Sequence, residues 1–186
     1  MTRVMFRVFA IVAALVCAAP ALAQAPKLPA GVDPQNALLI DTKHGRIVIK
    51  LRPDLAPKHA ERLKQLAREG YYNNVPFHRV INDFMAQTGD GANFNGTGGS
   101  KYPNLKQEFS SEPFVRGTVG MARGGSVDSA NSQFFICFAE ASFLNGKYTV
   151  VGNVVQGMDV VDKINRGEPP ANPDKMVKVQ VAADIK

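Results

Sequence analysis

Apolar and polar residues alternate along much of the chain, and the period of that alternation divides it into elements. Ile47, Ile49 and Leu51 alternate with Val48 and Lys50, the two-residue period of a strand. Gly45 supplies a turn back to the apolar run Ala37–Asp41, so a hairpin is predicted. The period then lengthens. Pro57 stands where a first helical residue can lack its N–H, Ala60, Leu63 and Ala67 mark one face with Leu66 beside it, and Gly70 closes the helix. Lys58, His59, Arg62 and Lys64 are expected to face water there. Strands are predicted over Phe77–Arg79, Phe84–Thr88, Gly117–Ala122, Ser132–Phe138 and Thr149–Val155. The glycine- and asparagine-rich run Gly89–Pro103 lies between the second and third, and connections of that length are usually functional or disordered. A compact turn fills Ala139–Tyr148. Met158, Val161 and Ile164 predict a second helix over Met158–Asn165, stopped by Gly167. After the proline-rich 167–173, Val177, Val179 and Val181 alternate with Lys178 and Gln180 in a last strand.

Eight short strands and two helices near the ends of the chain exclude a doubly wound parallel sheet. They predict a mainly β fold, a closed eight-stranded antiparallel barrel capped by two α-helices. Parity refines this. In Ser132–Phe138 the positions Phe134, Ile136 and Phe138 share one face and should fill the barrel. Gln133, Phe135 and Cys137 share the other and should face outward. Met85 and Gln87 repeat the pairing of an apolar residue with an amide two positions away, so a groove outside the barrel is predicted.

One residue in this pattern has unusual chemistry. Arg79 sits among Phe77, Ile81, Phe84 and Met85 with no carboxylate before Asp83. A guanidinium held against apolar side chains costs free energy unless it is hydrogen-bonded, so a pocket with an apolar floor and a fixed donor is expected. His78 has the opposite parity and is expected to satisfy hydrogen bonds beside that pocket.

Composition adds the compartment. Arg3 and Arg7, an apolar run from Phe9 to Ala19 and Ala21-Leu22-Ala23 before Gln24 have the order of a secretory signal peptide, expected to be cleaved after Ala23. The expected organisation is therefore a signal peptide over 1–23, a flexible lead-in over 24–36 and one domain over 37–186, located in the periplasm. Without residues 1–23 the chain has 20 basic and 16 acidic residues, a mild +4 with no Lys/Arg run. That predicts no nucleic-acid partner and no membrane association after cleavage. Only Cys137 remains, so no intrachain disulfide is expected. A monomer is expected.

Several chemistries lack their signatures. Ser132 has no G-x-S-x-G elbow, and the glycine run has no G-K-[ST], which argues against a serine hydrolase and a phosphate loop. His44, His59 and His78 show no metal-ligand spacing, and no metal or cofactor is expected. Cys137 has no evident base and reads as structural.

The motifs FHRV-x3-FMAQ-x-GD at 77–90, NGTGG at 95–99, GMAR at 120–123, SQFFI at 132–136, FLNGKYTVVG at 143–152 and VVQGMDVVDKI at 154–164 stand in order. Together they resemble the cyclophilin family of peptidyl-prolyl cis-trans isomerases over residues 37–185, in its periplasmic bacterial branch. That resemblance implies the eight-stranded barrel with two helices. It also implies that Arg79 is the catalytic arginine, that Phe84, Met85, Phe135 and Leu144 accept the proline ring, and that Gln87 steadies the arginine. Ala122 and Arg123 are implied as the strand edge that holds the substrate chain, with Gln133 a further lining amide. Phe143 stands where many eukaryotic members have Trp and Tyr148 where they have His. Both are expected at the substrate site, and cyclosporin-type inhibitors are expected to bind weakly. Asn82-Asp83 replaces a more usual Pro-Gly, and Arg123 a frequent Asn.

The expected activity is isomerisation of X-Pro bonds in exported, proline-containing polypeptides, assisting their folding without a covalent intermediate. The rival reading is a peptide-binding or chaperone module that uses the same groove without catalysis. The intact Arg79/Gln87 pair disfavours it, since a pure binder has no need of both.

Overall fold

The structure is a computed structural model and describes residues 27–185. The predicted signal peptide and the first residues of the lead-in lie outside them. Ten strands and two helices follow in order: β1 (Ala37–Thr42), β2 (Gly45–Leu51), α1 (Pro57–Arg68), β3 (Val75–Pro76), β4 (Arg79–Ile81), β5 (Met85–Thr88), β6 (Thr118–Met121), β7 (Phe134–Cys137), β8 (Val150–Gln156), α2 (Met158–Val161), β9 (Lys175–Met176) and β10 (Lys178–Val181).

Eight of the strands form one antiparallel sheet in the order β10-β1-β2-β8-β6-β7-β5-β4, and β3 pairs with β9 in a separate ribbon. The sheet curls but does not close, which corrects the expected closed barrel: β4 and β10 are its two ends, and no ladder joins them among the described residues. The chain from 167 to 176 runs beside 74–80 instead. Val80 and Gly167 exchange reciprocal 2.8 Å hydrogen bonds, Phe77 N donates to Asp174 O, and Asn74 N donates to Met176 O. A loop with two prolines at 169–170 cannot continue a ladder, because those residues have no N–H to donate.

The predicted parity holds. Phe134, Ile136 and Phe138 join Leu38, Ile49, Val119 and Val181 in the main core inside the curl. Phe135 and Cys137 join Met85, Phe114, Leu144 and Val150 in a second cluster on the outer face. That face is roofed by its own small core, so the outward residues are buried too. Burial pushes the Cys137 thiol up to about 12.

Four local expectations change. The strand expected over Phe77–Arg79 lies at Arg79–Ile81, because Phe77 N–H is taken by Asp174 O and only from Arg79 does the chain pair with β5. His59 and Arg62 are buried, not solvated, because residues 102–108 fold over α1. Arg62 donates to Pro103 O and lies over the Tyr102 ring. The Glu108 carboxylate accepts from Lys58 N, His59 N and, at 2.7 Å, His59 Nδ1, supplying the cap that Ala56 lacks. The second helix is a single turn. After Val161 the hydrogen bonds tighten to Lys163 N→Val160 O and Ile164 N→Val161 O, and the Asn165 amide turns aside to Asp174 Oδ2. The described part of the lead-in, 27–36, is laid down rather than free, with Leu28 and Val32 packed on Ala37, Leu39, Val48 and Ala182.

Candidate active site

Strand register builds the site. Arg79 is the cross-strand partner of Gln87, Gln87 of Phe135, and Phe135 of Gly120. These four residues lie in one row across β4, β5, β7 and β6, and directly opposed side chains project from the same face. Gly120 is required there, because a Cβ would stand 2.4 Å from the Phe135 ring and 2.6 Å from Phe114. With no side chain in the way, the Phe135 ring lies over β6, nearly parallel to Phe114 at 5.8 Å.

Around this row is a hollow of about 120 Å³ lined by Arg79, Phe84, Met85, Gln87, Ala122, Arg123, Phe135, Leu144 and Tyr148. It is well under the roughly 300 Å³ at which drug-sized sites begin, so it suits a small ring or one side chain. Met85, Phe135 and Leu144 form the buried floor, and Tyr148 meets Phe135 edge-on at 6.0 Å. Arg123 lies with its guanidinium 4.4 Å from the Tyr148 ring centroid and donates to Lys147 O and Gly124 O.

Two of the expected residues border the hollow without lining it. Phe143 is 60% exposed and tilts against Phe84 at 5.3 Å, on the rim rather than in the hollow. Gln133 lines an adjoining polar cavity of about 350 Å³ with Thr97, Asn104, Ser129 and Asn131, which shares Gln87, Ala122 and Arg123 with the hollow. Asp83, in the bend before Phe84, has φ 56°, a left-handed conformation that Asp tolerates better than most residues.

Hydrogen bonds orient the amides. Gln133 Nε2 donates to both Gly96 O and Gly98 O, which uses both of its hydrogens. Its Oε1 accepts from Gln87 Nε2 at 3.0 Å, leaving Gln87 Oε1 to face Arg79 Nη1 at 3.5 Å. The Gly96–Gly98 loop is held in turn by Asp90, wholly buried, whose two oxygens accept from the amides of Ala92, Asn93, Asn95, Gly96 and Gly98. Burial alone would raise the Asp90 carboxyl, but those amides outweigh it and hold it below the usual carboxylate range. The long glycine-rich connection is therefore ordered around one carboxylate. His78 is buried beside it, packed against Gly96, and burial lowers its imidazole below the ordinary value. Neither of its ring nitrogens has a side-chain or backbone partner in good geometry, contrary to the expectation that it satisfies hydrogen bonds there.

Two contributors were not apparent from sequence. Asp90 closes the first motif and precedes the glycine-rich run, so a signal for it existed. Glu168, whose Oε2 takes Arg79 Nε at 2.7 Å, had none, being 89 residues away. Among the described residues no three His, Cys, Asp or Glu side chains cluster as metal ligands would.

An apolar hollow of this size, rimmed by a guanidinium and an amide on the outer face of a curled antiparallel sheet, has room for one small apolar ring or side chain. Comparison with known proteins defines the class. Residues 37–182 match the family described as cyclophilin type peptidyl-prolyl cis-trans isomerase. The "Probable peptidyl-prolyl cis-trans isomerase" of Brucella suis biovar 1 is 56% identical over 169 residues, 83% of this chain and 86% of that one. Peptidyl-prolyl cis-trans isomerase B of Escherichia coli is 42% identical over 141 residues, 66% of this chain and 80% of that one. Among solved structures, a cyclophilin from Hirschia baltica superposes with a TM-score of 0.78 at 28% identity, covering 83% of this chain and 77% of that one. The chain belongs to the cyclophilin-type peptidyl-prolyl cis-trans isomerases.

Proposed function

We propose that this protein accelerates rotation about X-Pro bonds in exported polypeptides and so assists their folding. The observation that carries the reading is the position of Arg79. Its guanidinium rims the hollow floored by Met85, Phe135 and Leu144, with Gln87 opposite it across the ladder.

The X-Pro bond resists rotation because amide resonance opposes it with a barrier of roughly 18–20 kcal/mol. Nothing covalent has to form. Twisting the bond frees the prolyl nitrogen lone pair, and a cation beside that nitrogen binds the twisted state better than either planar one. Arg79 suits the role because a guanidinium stays charged at any working pH and its fork can be held while donors remain for substrate. Phe84, Met85, Phe135 and Leu144 grip the ring. The main chain at Ala122–Arg123 holds the peptide, so the two ends of the bond turn relative to each other. A charge-assisted contact contributes about 1.5–3 kcal/mol, so two made mainly in the twisted state supply a few powers of ten. No nucleophile is used in this reading. Cys137, the one cysteine among the described residues, is buried with its thiol pushed up to about 12.

Export and a periplasmic location rest on the charged, apolar and small-residue order of residues 1–23. The same reading has the mature protein act as a monomer free of membrane and nucleic acid. Cyclosporin-type ligands bind it weakly, because Phe143 lacks an indole N–H and lies on the rim.

The test is exchange between the cis and trans NMR signals of an Ala-Pro-Phe peptide. Added protein should speed it, and Arg79→Ala should remove most of the acceleration. Unchanged acceleration in that variant would rule out the mechanism. Binding of the peptide without faster exchange would establish the non-catalytic alternative.

A further inference from the structure

We propose that Glu168 is the residue that positions the Arg79 guanidinium. This inference rests on the isomerase reading above and adds a residue to it.

The backbone makes the encounter obligatory. Val80 and Gly167 exchange reciprocal 2.8 Å hydrogen bonds in an antiparallel bridge on the outer edge of β4. In antiparallel register the next opposed pair is Arg79 and Glu168. The row across the sheet therefore extends by one residue, and Arg79 stands between Gln87 on one side and Glu168 on the other. Gly167 permits the turn from that bridge into the following prolines, since a Cβ there would lie 2.5 Å from Pro170 Cα and 2.8 Å from Pro169 O.

The two contacts are unequal. Glu168 Oε2 takes Nε at 2.7 Å, whereas Gln87 Oε1 meets Nη1 only at 3.5 Å, the outer limit of a hydrogen bond. A planar fork held at Nε has its rotation about the last side-chain bond fixed. With Gln87 at Nη1, Nη2 makes no hydrogen bond to protein among the described residues, and its outward N–H, at the end of the fork away from Glu168, is the donor left for a group beside the prolyl nitrogen. The carboxylate also stays outside the hollow: Glu168 is absent from its lining and instead borders a separate groove with Phe94, Thr97 and Pro169. Glu168 thus acts through Arg79 and does not itself touch the ring.

Three variants test this in the mature protein. Glu168→Ala should lower kcat by about five- to tenfold with KM within about twofold, the pattern of a misplaced transition-state contact. Glu168→Gln, which keeps an acceptor for Nε–H, should stay within about threefold of the parent. In the Arg79→Ala background, Glu168→Ala should cost nothing further. The direct readout is the Arg79 Nε–H resonance, which should be shifted and slow to exchange in the parent and in Glu168→Gln but not in Glu168→Ala. Parental kcat in Glu168→Ala, a loss confined to KM, or an equal loss in the Arg79→Ala background would each overturn the assignment. A parent protein without isomerase activity would overturn the reading beneath it. An active parent with an unchanged Nε–H resonance in Glu168→Ala would overturn the positioning role alone.

Discussion

Gln87 and Gln133 are joined by a hydrogen bond whose direction is forced: Gln133 has spent both amide hydrogens on Gly96 O and Gly98 O, so Gln87 must be its donor. The oxygen of Gln87 is thereby turned to Arg79. Gln133→Leu removes that constraint and leaves two loop carbonyls and one amide without a partner. Isomerase kcat/KM should fall about tenfold, and stability by about 1–3 kcal/mol, read by peptide exchange and urea unfolding. A parental rate would show that the orientation of Gln87 does not matter.

Asp90 anchors the loop that Gln133 reads. Asp90→Asn places a donor amide where one carboxylate oxygen accepted backbone N–H groups, so it should cost about 1–3 kcal/mol, and Asp90→Ala at least as much. The acid limb follows from the sign of its shift. The folded carboxyl lies below its ordinary 3.8, so its contribution is complete above that pH and is lost as pH falls through the folded value. Denaturation midpoints between pH 5 and pH 2 should show this decline in the parent and a shallower one in Asp90→Ala.

Gly120 leaves room for the Phe135 ring. Gly120→Ala puts a methyl 2.4 Å from that ring and 2.6 Å from Phe114, so the floor of the hollow must shift. The expected loss is about 1–3 kcal/mol of stability with a several-fold rise in KM for a prolyl peptide. Thermal unfolding and peptide titration check the two halves separately.

Burial holds His59 and His78 below the ordinary histidine value of 6.5. For His59, burial outweighs the raising effect of Glu108, to which Nδ1–H donates in the neutral ring. The unfolded chain then takes up protons before the folded one. Stability should be full above about pH 7 and decline as pH drops through 6.5 toward the folded values. His59→Asn and His78→Asn should each flatten this step in unfolding free energies measured from pH 7.5 to 5. A step of parental size in both variants would assign the dependence to other groups.

Much of the site was legible in the chain. Two-residue periodicity placed most of the strands, though not β4 or the short β3 and β9, and parity assigned Phe134 and Phe135 to opposite faces. An arginine among apolar residues flagged Arg79, since a charge in that setting is costly without partners. These are local properties: side-chain direction in a strand alternates whatever the neighbours are.

What local order could not carry was the identity of those partners. Glu168 reaches Arg79 through the Val80–Gly167 bridge, Glu108 reaches His59 from a loop folded over α1, and the sheet stays open between β4 and β10. Periodicity records which face a residue takes, but not which distant segment will lie beside it. The sequence by itself determined most of the strands, their faces and the chemistry along them. Only the tertiary structure decided which charges meet and where the sheet ends, because those depend on contacts between residues far apart in the chain.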